Sequence, residues 1–354
     1  MSESDTRLAR SRLLRRSVTL GAWFASFALA VPAAAIWLLP SGMHTGGVRF
    51  WFDAALFVIR TGGWHLGLAG IVAAVVIVAM KRWGAAGVAL GSALLLMLPT
   101  VRFDGRGNGE RIAGASFTVA VYNVLAMNRD DREVLASIDD LDADVLFVFE
   151  HTRRWERDVA VTLTPTHPHS HAAWWSDRFG VAVYSRVPIR SVREIAVPEE
   201  IWNRCILRVE IEHEGRLLAV YGLHPAHPVT PRRLRSAWHL WAALFESLAN
   251  ERLPAVVMGD FNATDVSPQL AELRRRGFRS AFAQAGHGRG ATYSQRGLRR
   301  HLPGVRIDHV FIHRSMAVAA ARLGRAGGSD HLPVVAELGW REPARVEGVG
   351  TLRR

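Results

Sequence analysis

Cysteine and lysine are almost missing from this chain. Cys205 is the only cysteine among 354 residues, so neither an intrachain disulfide nor a thiolate metal cluster can form. Its position in an apolar run suits core packing. Lys81 is the only lysine, so the formal charge of +12 is carried almost wholly by arginine. Arginine is the better residue for bidentate phosphate contacts, yet so one-sided a preference is equally a product of genomic base composition. The charge is therefore permissive for anionic substrates and no more. Charge is also scarce between residues 17 and 101, which hold almost all the long uncharged runs, and no internal repeat or long low-complexity tract follows them.

Residues 17–39 form an apolar run long enough to cross a bilayer as a helix, which takes ~20 residues, and they follow a basic segment from Arg7 to Arg16. Small residues at Ala33 to Ala35 also suit a cleaved signal peptide. The apolar core is long for one, however, and two more candidate spans follow at 63–80 and 84–101. Residues 17–101 are thus read as a transmembrane region of three helices, with the amphipathic, aromatic-rich stretch 51–60 at an interface, where Trp is favoured. Arg7, Arg10, Arg12, Arg15 and Arg16 then share one side with Lys81 and Arg82, whereas the loop 40–62 has only Arg49 and Arg60. The positive-inside rule places the N-terminus, residues 1–16, in the cytoplasm and the part after about 105 outside it. A fourth crossing, or a third segment that fails to span, reverses that side. Residues 102–114, rich in glycine and charge, read as a linker.

Beyond it, strands are signalled at 117–124, 144–149, 180–184, 205–212, 217–223, 255–258, 305–312 and 333–338. Helices are expected at 131–141, at 231–249 and from Pro268 to Gly277. The second has Thr230 as N-cap, Pro231 at its first position and a core stripe of Leu234, Trp238, Trp241, Phe245 and Leu248. Many strands and few helices in mixed order point to an α/β domain with large sheets. Several strands end in a polar residue of a particular kind. Phe117-Thr-Val-Ala-Val-Tyr-Asn123 ends in an amide, Asp144-Val-Leu-Phe-Val-Phe-Glu150 in a carboxylate and Leu217-Leu-Ala-Val-Tyr-Gly-Leu-His224 in an imidazole. Pro254-Ala-Val-Val-Met-Gly-Asp-Phe-Asn262 sets Asp260 and Asn262 two residues apart, where a carboxylate and an amide can face one ligand. Val305-Arg-Ile-Asp308 and Gly327-Gly-Ser-Asp-His331 add Asp308 and an Asp330-His331 pair. Any one of these is an ordinary solvated strand end; together they are harder to dismiss.

In these motifs and their order, residues 115–340 resemble the endonuclease/exonuclease/phosphatase superfamily, of DNase I-like fold. The resemblance implies a four-layer sandwich, two packed mixed β-sheets flanked by helices, and phosphoester hydrolysis with a divalent cation, usually Mg²⁺. It implies that Asn123 and Glu150 sit beside the metal, with Glu150 the principal ligand, and that Asp330 completes its shell; Asn123 also faces substrate. Asp260 and Asn262 would orient or deprotonate the attacking water. His331, held by Asp308, would contact the scissile phosphate, and His224 would be a phosphate ligand or general acid. The residue chemistry agrees, since hard oxygen donors suit Mg²⁺ or Mn²⁺ better than zinc. A phosphodiester repels a nucleophile unless a cation, a positioned water and a proton for the leaving oxygen are supplied.

The stretch with His167, His169, His171, Trp174 and Trp175 is expected to be a substrate-lining loop, with Arg178 as a phosphate contact. Arg232, Arg233 and Arg235 are expected on a solvated face, and residues 341–354 as a disordered tail. The leading reading is a membrane-tethered phosphodiesterase acting outside the cytoplasm, on nucleic acid or phospholipid head groups. The alternative is a non-catalytic membrane protein that binds phosphorylated ligands. Apart from the bilayer and the substrate no partner is inferable.

Overall fold

The structure, a computed structural model, describes residues 3–174, 180–198, 204–293, 301 and 303–342. The chain divides into two compact units, Met1–Phe103 with Ala263–Glu272, and Asp104–Asn262 with Leu273–Arg354.

The first unit is helical: α1 (Glu3–Leu38), α2 (Gly47–Thr61), α3 (Gly63–Ala79) and α4 (Trp83–Val101). Among the described residues two helices are long and apolar enough to cross a membrane, Arg10–Leu38 of α1 and α4; α2 and α3 pass that test only as a pair, bent by 62°. In α2, Phe50, Leu56 and Phe57 are buried while Val48, Trp51, Phe52 and Val58 stay exposed. Its buried Asp53 organises the preceding loop by accepting from the Gly42 and His44 amides at 2.9 and 3.2 Å.

The second unit runs β1 (Gly105–Arg106), β2 (Ile112–Asn123), α5 (Asp131–Asp139), β3 (Val145–His151), α6 (Arg153–Leu163), β4 (His169–Ala173), β5 (Gly180–Ser185), β6 (Ile189–Ala196), β7 (Cys205–His213), β8 (Arg216–Gly222), α7 (Pro231–Ala249) and β9 (Ala255–Asp260). After α8 (Pro268–Arg275), whose residues up to Glu272 belong to the first unit, come β10 (Phe278–Ser280), α9 (Ala281–Ala285), β11 (His287–Gly288), β12 (Asp308–His313), β13 (Met316–Leu323) and β14 (Val334–Arg341). Two six-stranded sheets have the orders β13-β14-β2-β3-β5-β4 and β10-β12-β9-β8-β7-β6. The pairs β2–β3 and β8–β9 are parallel and the other neighbours antiparallel, so both sheets are mixed.

Alternation along the central strands explains why their sequences read as unbroken apolar runs. Phe117, Val119 and Val121 of β2, with Phe147 and Phe149 of β3, face the other sheet and share a core with Val209, Val220, Met258 and Val310. The intervening Ala120, Tyr122, Leu146 and Val148 face outward and pack with Val134, Ile138, Trp155 and Leu163 of the covering helices.

Strands β4, β6 and β13 and helix α6 were not expected from the pattern. β6 is an exposed edge strand without apolar alternation, and β13 is alanine-rich. The stretch from His169 forms β4, an edge strand of its sheet, rather than a loop. In the glycine-rich stretch read as a linker, β1 pairs with β11, and Glu110 binds Arg279 and Arg341. Arg341 closes β14, and residues 343–354 of the expected tail lie outside the described residues.

Against α7, Arg208 donates to Glu251 at 2.8 Å and to Glu210 at 2.7 Å, and the Tyr221 hydroxyl donates to Glu251 at 2.7 Å. Burial works against the Glu251 carboxylate, but Arg208, Tyr221 and the Leu253 amide prevail and hold its pKa at about 2. A depressed folded-state pKa contributes stability above the unfolded value, near 4.5, that is lost as pH falls toward 2. Glu251→Gln should therefore cost on the order of 2 kcal/mol at pH 7, with the gap to the parent protein closing below pH 4.5. Thermal melts across that range check it; a gap that stays constant would overturn it.

Candidate active site

The second unit has a cavity of about 230 Å³ lined by Glu150, His224, Asp260, Asn262, Asp330 and His331, together with Leu125, Arg204, His227, Arg233, Tyr293 and Ile307. Sheet register produces much of this convergence. Asp260 and Asp308 are direct cross-strand partners on β9 and β12. Glu150 by simple alternation would point outward with Leu146 and Val148, but β3 carries an irregularity between Phe149 and His151, and Glu150 adopts φ +56°. A left-handed residue at a bulge re-aims its side chain. Gly259 has φ +155°, and a Cβ there would lie 2.0 Å from the Leu223 carbonyl oxygen. Only glycine lets the two parallel strand ends approach this closely.

The polar groups are tied to one another. Asn123 Nδ2 donates to Asp260 Oδ2 at 3.0 Å and to Glu150 Oε1 at 3.3 Å, and its Oδ1 accepts from the Leu125 amide. Glu150 Oε2 accepts from the Ala126 amide at 2.8 Å. Asn262, at φ +48°, donates its amide N–H to Asp260 Oδ1 and its Nδ2 to the Pro225 carbonyl. Arg204, 3% exposed, donates through Nη1 to the carbonyls of His224 and Pro225, both at 2.6 Å, so the His224 turn is held from two sides. The turn before β14 is pinned by Ser329, whose hydroxyl donates to the Asn123 carbonyl and accepts from the His331 amide.

Two buried carboxylates facing each other across a ladder would repel, and His331 resolves this. Its Nδ1 lies 2.8 Å from Asp308 Oδ2 and its Nε2 3.8 Å from Asp260 Oδ2, while His224 Nε2 is 3.3 Å from the same Asp260 oxygen. Burial opposes charge on His331, but Asp308 and Asp260 outweigh it and push the imidazole up to about 10. Burial likewise opposes Asp260, and the charges of His331 and His224 hold it well below the usual carboxylate range. Asp308 is raised by burial and by the charge of Asp260. The site thus holds one fixed anion at Asp260 and one fixed cation at His331.

One nitrogen or oxygen from each of Asp260, Asp308 and His331 lies within 4.8 Å of the others, spacing that could hold a metal ion. His331 Nδ1 is already committed to Asp308, which leaves the acidic side of the cavity as the better cation position. There Asp330 Oδ1 is buried without a hydrogen-bond partner. Burial raises the Asp330 carboxyl, and nearby Glu150 and Asp260 add to it against His331. Crowded carboxylates with an orphaned oxygen are what a hard divalent cation neutralises, so Glu150 and Asp330 fit such an ion.

Of the residues singled out from sequence, Glu150, His224, Asp260, Asn262, Asp330 and His331 line the cavity, with Asn123 and Asp308 buried behind them. Arg178 lies outside the described residues. His167 is buried on the Ala143 carbonyl and His171 pairs with Glu194, so neither reaches the cavity. Arg233, expected on a solvated face, lines the cavity instead, because the first turn of α7 opens beside it. Arg204, His227 and Tyr293 carried no sequence signal beyond being polar residues at element ends. A larger open groove of about 880 Å³ follows edge strand β6 and α7, but its charges include the Arg208–Glu251 pair already described.

The model of the Endonuclease/Exonuclease/phosphatase family matches residues 120–331. Among solved structures, an endonuclease/exonuclease/phosphatase family protein from Bacteroides thetaiotaomicron superposes with a TM-score of 0.53 at 19% identity, over 63% of this chain and 98% of that one. A mannosyl-6-phosphatase of the same organism gives 0.53 at 20%, over 64% and 100%. TDP2 of Caenorhabditis elegans gives 0.51 at 15%, over 64% and 99%. At such identities the likeness shows the fold alone. No curated protein matches the chain.

The geometry predicts that Mg²⁺ or Mn²⁺ raises the thermal midpoint of the purified protein. A cation at a hundredfold excess over Kd stabilises by about 2.7 kcal/mol, and Glu150→Gln and Asp330→Asn should remove that shift. An equal shift in parent and Glu150→Gln would refute the assignment.

Proposed function

Because the chain belongs to the endonuclease/exonuclease/phosphatase family, whose members hydrolyse phosphoesters, we propose that it is a membrane-tethered, divalent-metal-dependent phosphodiester hydrolase. The observation that carries this reading is the single cavity shared by Glu150, His224, Asp260, Asn262, Asp330 and His331. Glu150 and Asp330, with Asn123 behind them, would hold Mg²⁺ or Mn²⁺, which would supply Lewis-acid polarisation of the phosphoryl oxygens.

The chain's own groups do the rest. Asp260, kept ionised, accepts a proton from a water that Asn262 helps to orient for attack on phosphorus. His331, kept charged by Asp308, binds a non-bridging oxygen and stabilises charge that grows in the transition state. His224, clamped by Arg204 through its carbonyl, is placed to contact phosphate or protonate the leaving oxygen. Arg204 and Arg233 add positive charge around an anionic substrate.

The apolar helices support tethering in a bilayer as a multi-pass protein, and the charge asymmetry of the short loops supports an extracytoplasmic site. Nucleic acid and phospholipid head groups are the two substrate classes that fit. A binding-only domain would need no such complete set of acid, amide and imidazole groups.

The test is hydrolysis by the full-length protein in detergent of plasmid DNA, RNA, sphingomyelin, phosphatidylinositol phosphates and phosphomonoesters, with Mg²⁺, Mn²⁺ or EDTA. A phosphodiester should be cleaved, EDTA should abolish turnover, and Asp260→Ala should lower kcat by about 10²–10⁴ with little change in KM. Turnover of none of them, with Asp260→Ala behaving identically, would establish the binding-only alternative. A C-terminal reporter that is active in the cytoplasm would overturn the orientation.

A further inference from the structure

Strand β3 carries an extra residue near its end, and the side chains around it show what keeps it there. Across β3 and β5, Phe147 pairs with Val183 and Phe149 with Val181, and all four face the core between the sheets. Leu146 pairs with Tyr184 and Val148 with Ala182, and these four face the covering helices. An unbroken ladder would go on to set Glu150 opposite Gly180 on the helix side and to turn His151 into the core, because a one-residue slip exchanges the two faces. The irregularity after Phe149 instead pairs His151 with Gly180. His151 thereby takes the helix-side position, and Glu150, at φ +56°, is left over as the bulged residue.

The helix side is built to receive an imidazole. His151 is fully buried, and its Nε2 shares a hydrogen bond of 2.9 Å with the Tyr184 hydroxyl and lies 3.4 Å from Glu156 Oε2 of α6. Its ring also approaches that of Trp174, with 6.1 Å between centroids. Gly180 makes the room, since a Cβ there would lie 2.2 Å from the His151 carbonyl oxygen and 2.7 Å from the Trp174 ring. A carboxylate in place of the imidazole would bring a second negative charge beside Glu156. Turned into the core of Phe147, Phe149 and Val181, the imidazole would exchange the Tyr184 hydroxyl for apolar neighbours. Both exchanges are unfavourable, so side-chain chemistry on the helix side selects the bulged register.

We infer that His151, held by the Tyr184 hydroxyl, is a positioning residue: it fixes the bulge, and the bulge turns Glu150 from the helix side into the active-site cavity. There Glu150 meets Asn123 and the Ala126 amide. His151 is not among the residues that line the cavity, so it acts only through its neighbour. The inference rests on Glu150 as a ligand of Mg²⁺ or Mn²⁺.

The competing account is that His151 and Tyr184 only fill the layer beneath α6. Mn²⁺ affinity of the full-length protein in detergent, read from the thermal midpoint as the ion is titrated, separates the two, while the metal-free midpoint reports packing. Tyr184→Phe keeps the ring and removes the hydroxyl, and His151→Leu removes both nitrogens. Each should weaken Mn²⁺ binding by about tenfold or more, the range for losing a group that orients a metal ligand. His151→Gln, whose amide can still reach the hydroxyl, should recover most of that loss. Trp155→Phe, in the same buried layer but outside the hydrogen bond, should lower the metal-free midpoint and leave Mn²⁺ affinity at the parent value. If His151→Leu does not fold, Tyr184→Phe decides. Unchanged affinity in Tyr184→Phe would overturn the inference, as would an equal loss in Trp155→Phe or no recovery in His151→Gln. A parent protein that binds no Mn²⁺ would instead overturn the metal reading itself, and this inference with it.

Discussion

Everything at the active site depends on a conflict of charge. β9 and β12 pair so that Asp260 and Asp308 meet directly across the ladder, both almost wholly buried. In low dielectric such a pair is strongly unfavourable unless a cation intervenes. His331 intervenes from the turn before β14, and its imidazolium is as necessary to the fold of this corner as to any chemistry it performs. A fixed anion at Asp260 and a fixed cation at His331 follow from the same arrangement.

The backbone around this pair is bent to suit it. Glu150 and Asn262 occupy left-handed conformations, and Gly259 stands where any side chain would strike the Leu223 carbonyl. At Glu150 this costs local free energy, of order 1–3 kcal/mol for a strained residue. The surrounding hydrogen bonds hold them in place: Ala126 N–H on Glu150, Asp260 on the Asn262 amide, and Arg204 with Asn262 on the turn after His224. A site built this way is preorganised, because its groups are bonded to each other and to backbone before substrate arrives.

Legibility from sequence followed burial. Strands buried on both faces, such as β3 and β9, announce themselves as apolar runs, and α7 has a stripe, an N-cap and a proline at its first position. The edge strands β4 and β6 were hidden, since half-exposed strands carry polar residues that resemble loops. Alanine-rich β13 has no pattern that separates strand from helix. At the site, residues that end apolar strands were visible because a carboxylate or imidazole after a buried run is conspicuous. Arg204, His227, Arg233 and Tyr293 were not, because arginine is everywhere in this chain and nothing local marks which one turns inward.

The order of the strand-terminal acids, amides and imidazoles, the family they point to and the apolar lengths of the N-terminal helices are properties of the sequence alone, because each depends on residue type and spacing. Which groups touch is not. The opposition of Asp260 and Asp308, the redirection of Glu150 at a bulge, the burial of Arg204 against two carbonyls and the bond between His151 and Tyr184 all join residues far apart in the chain. Strand register and packing alone decide them.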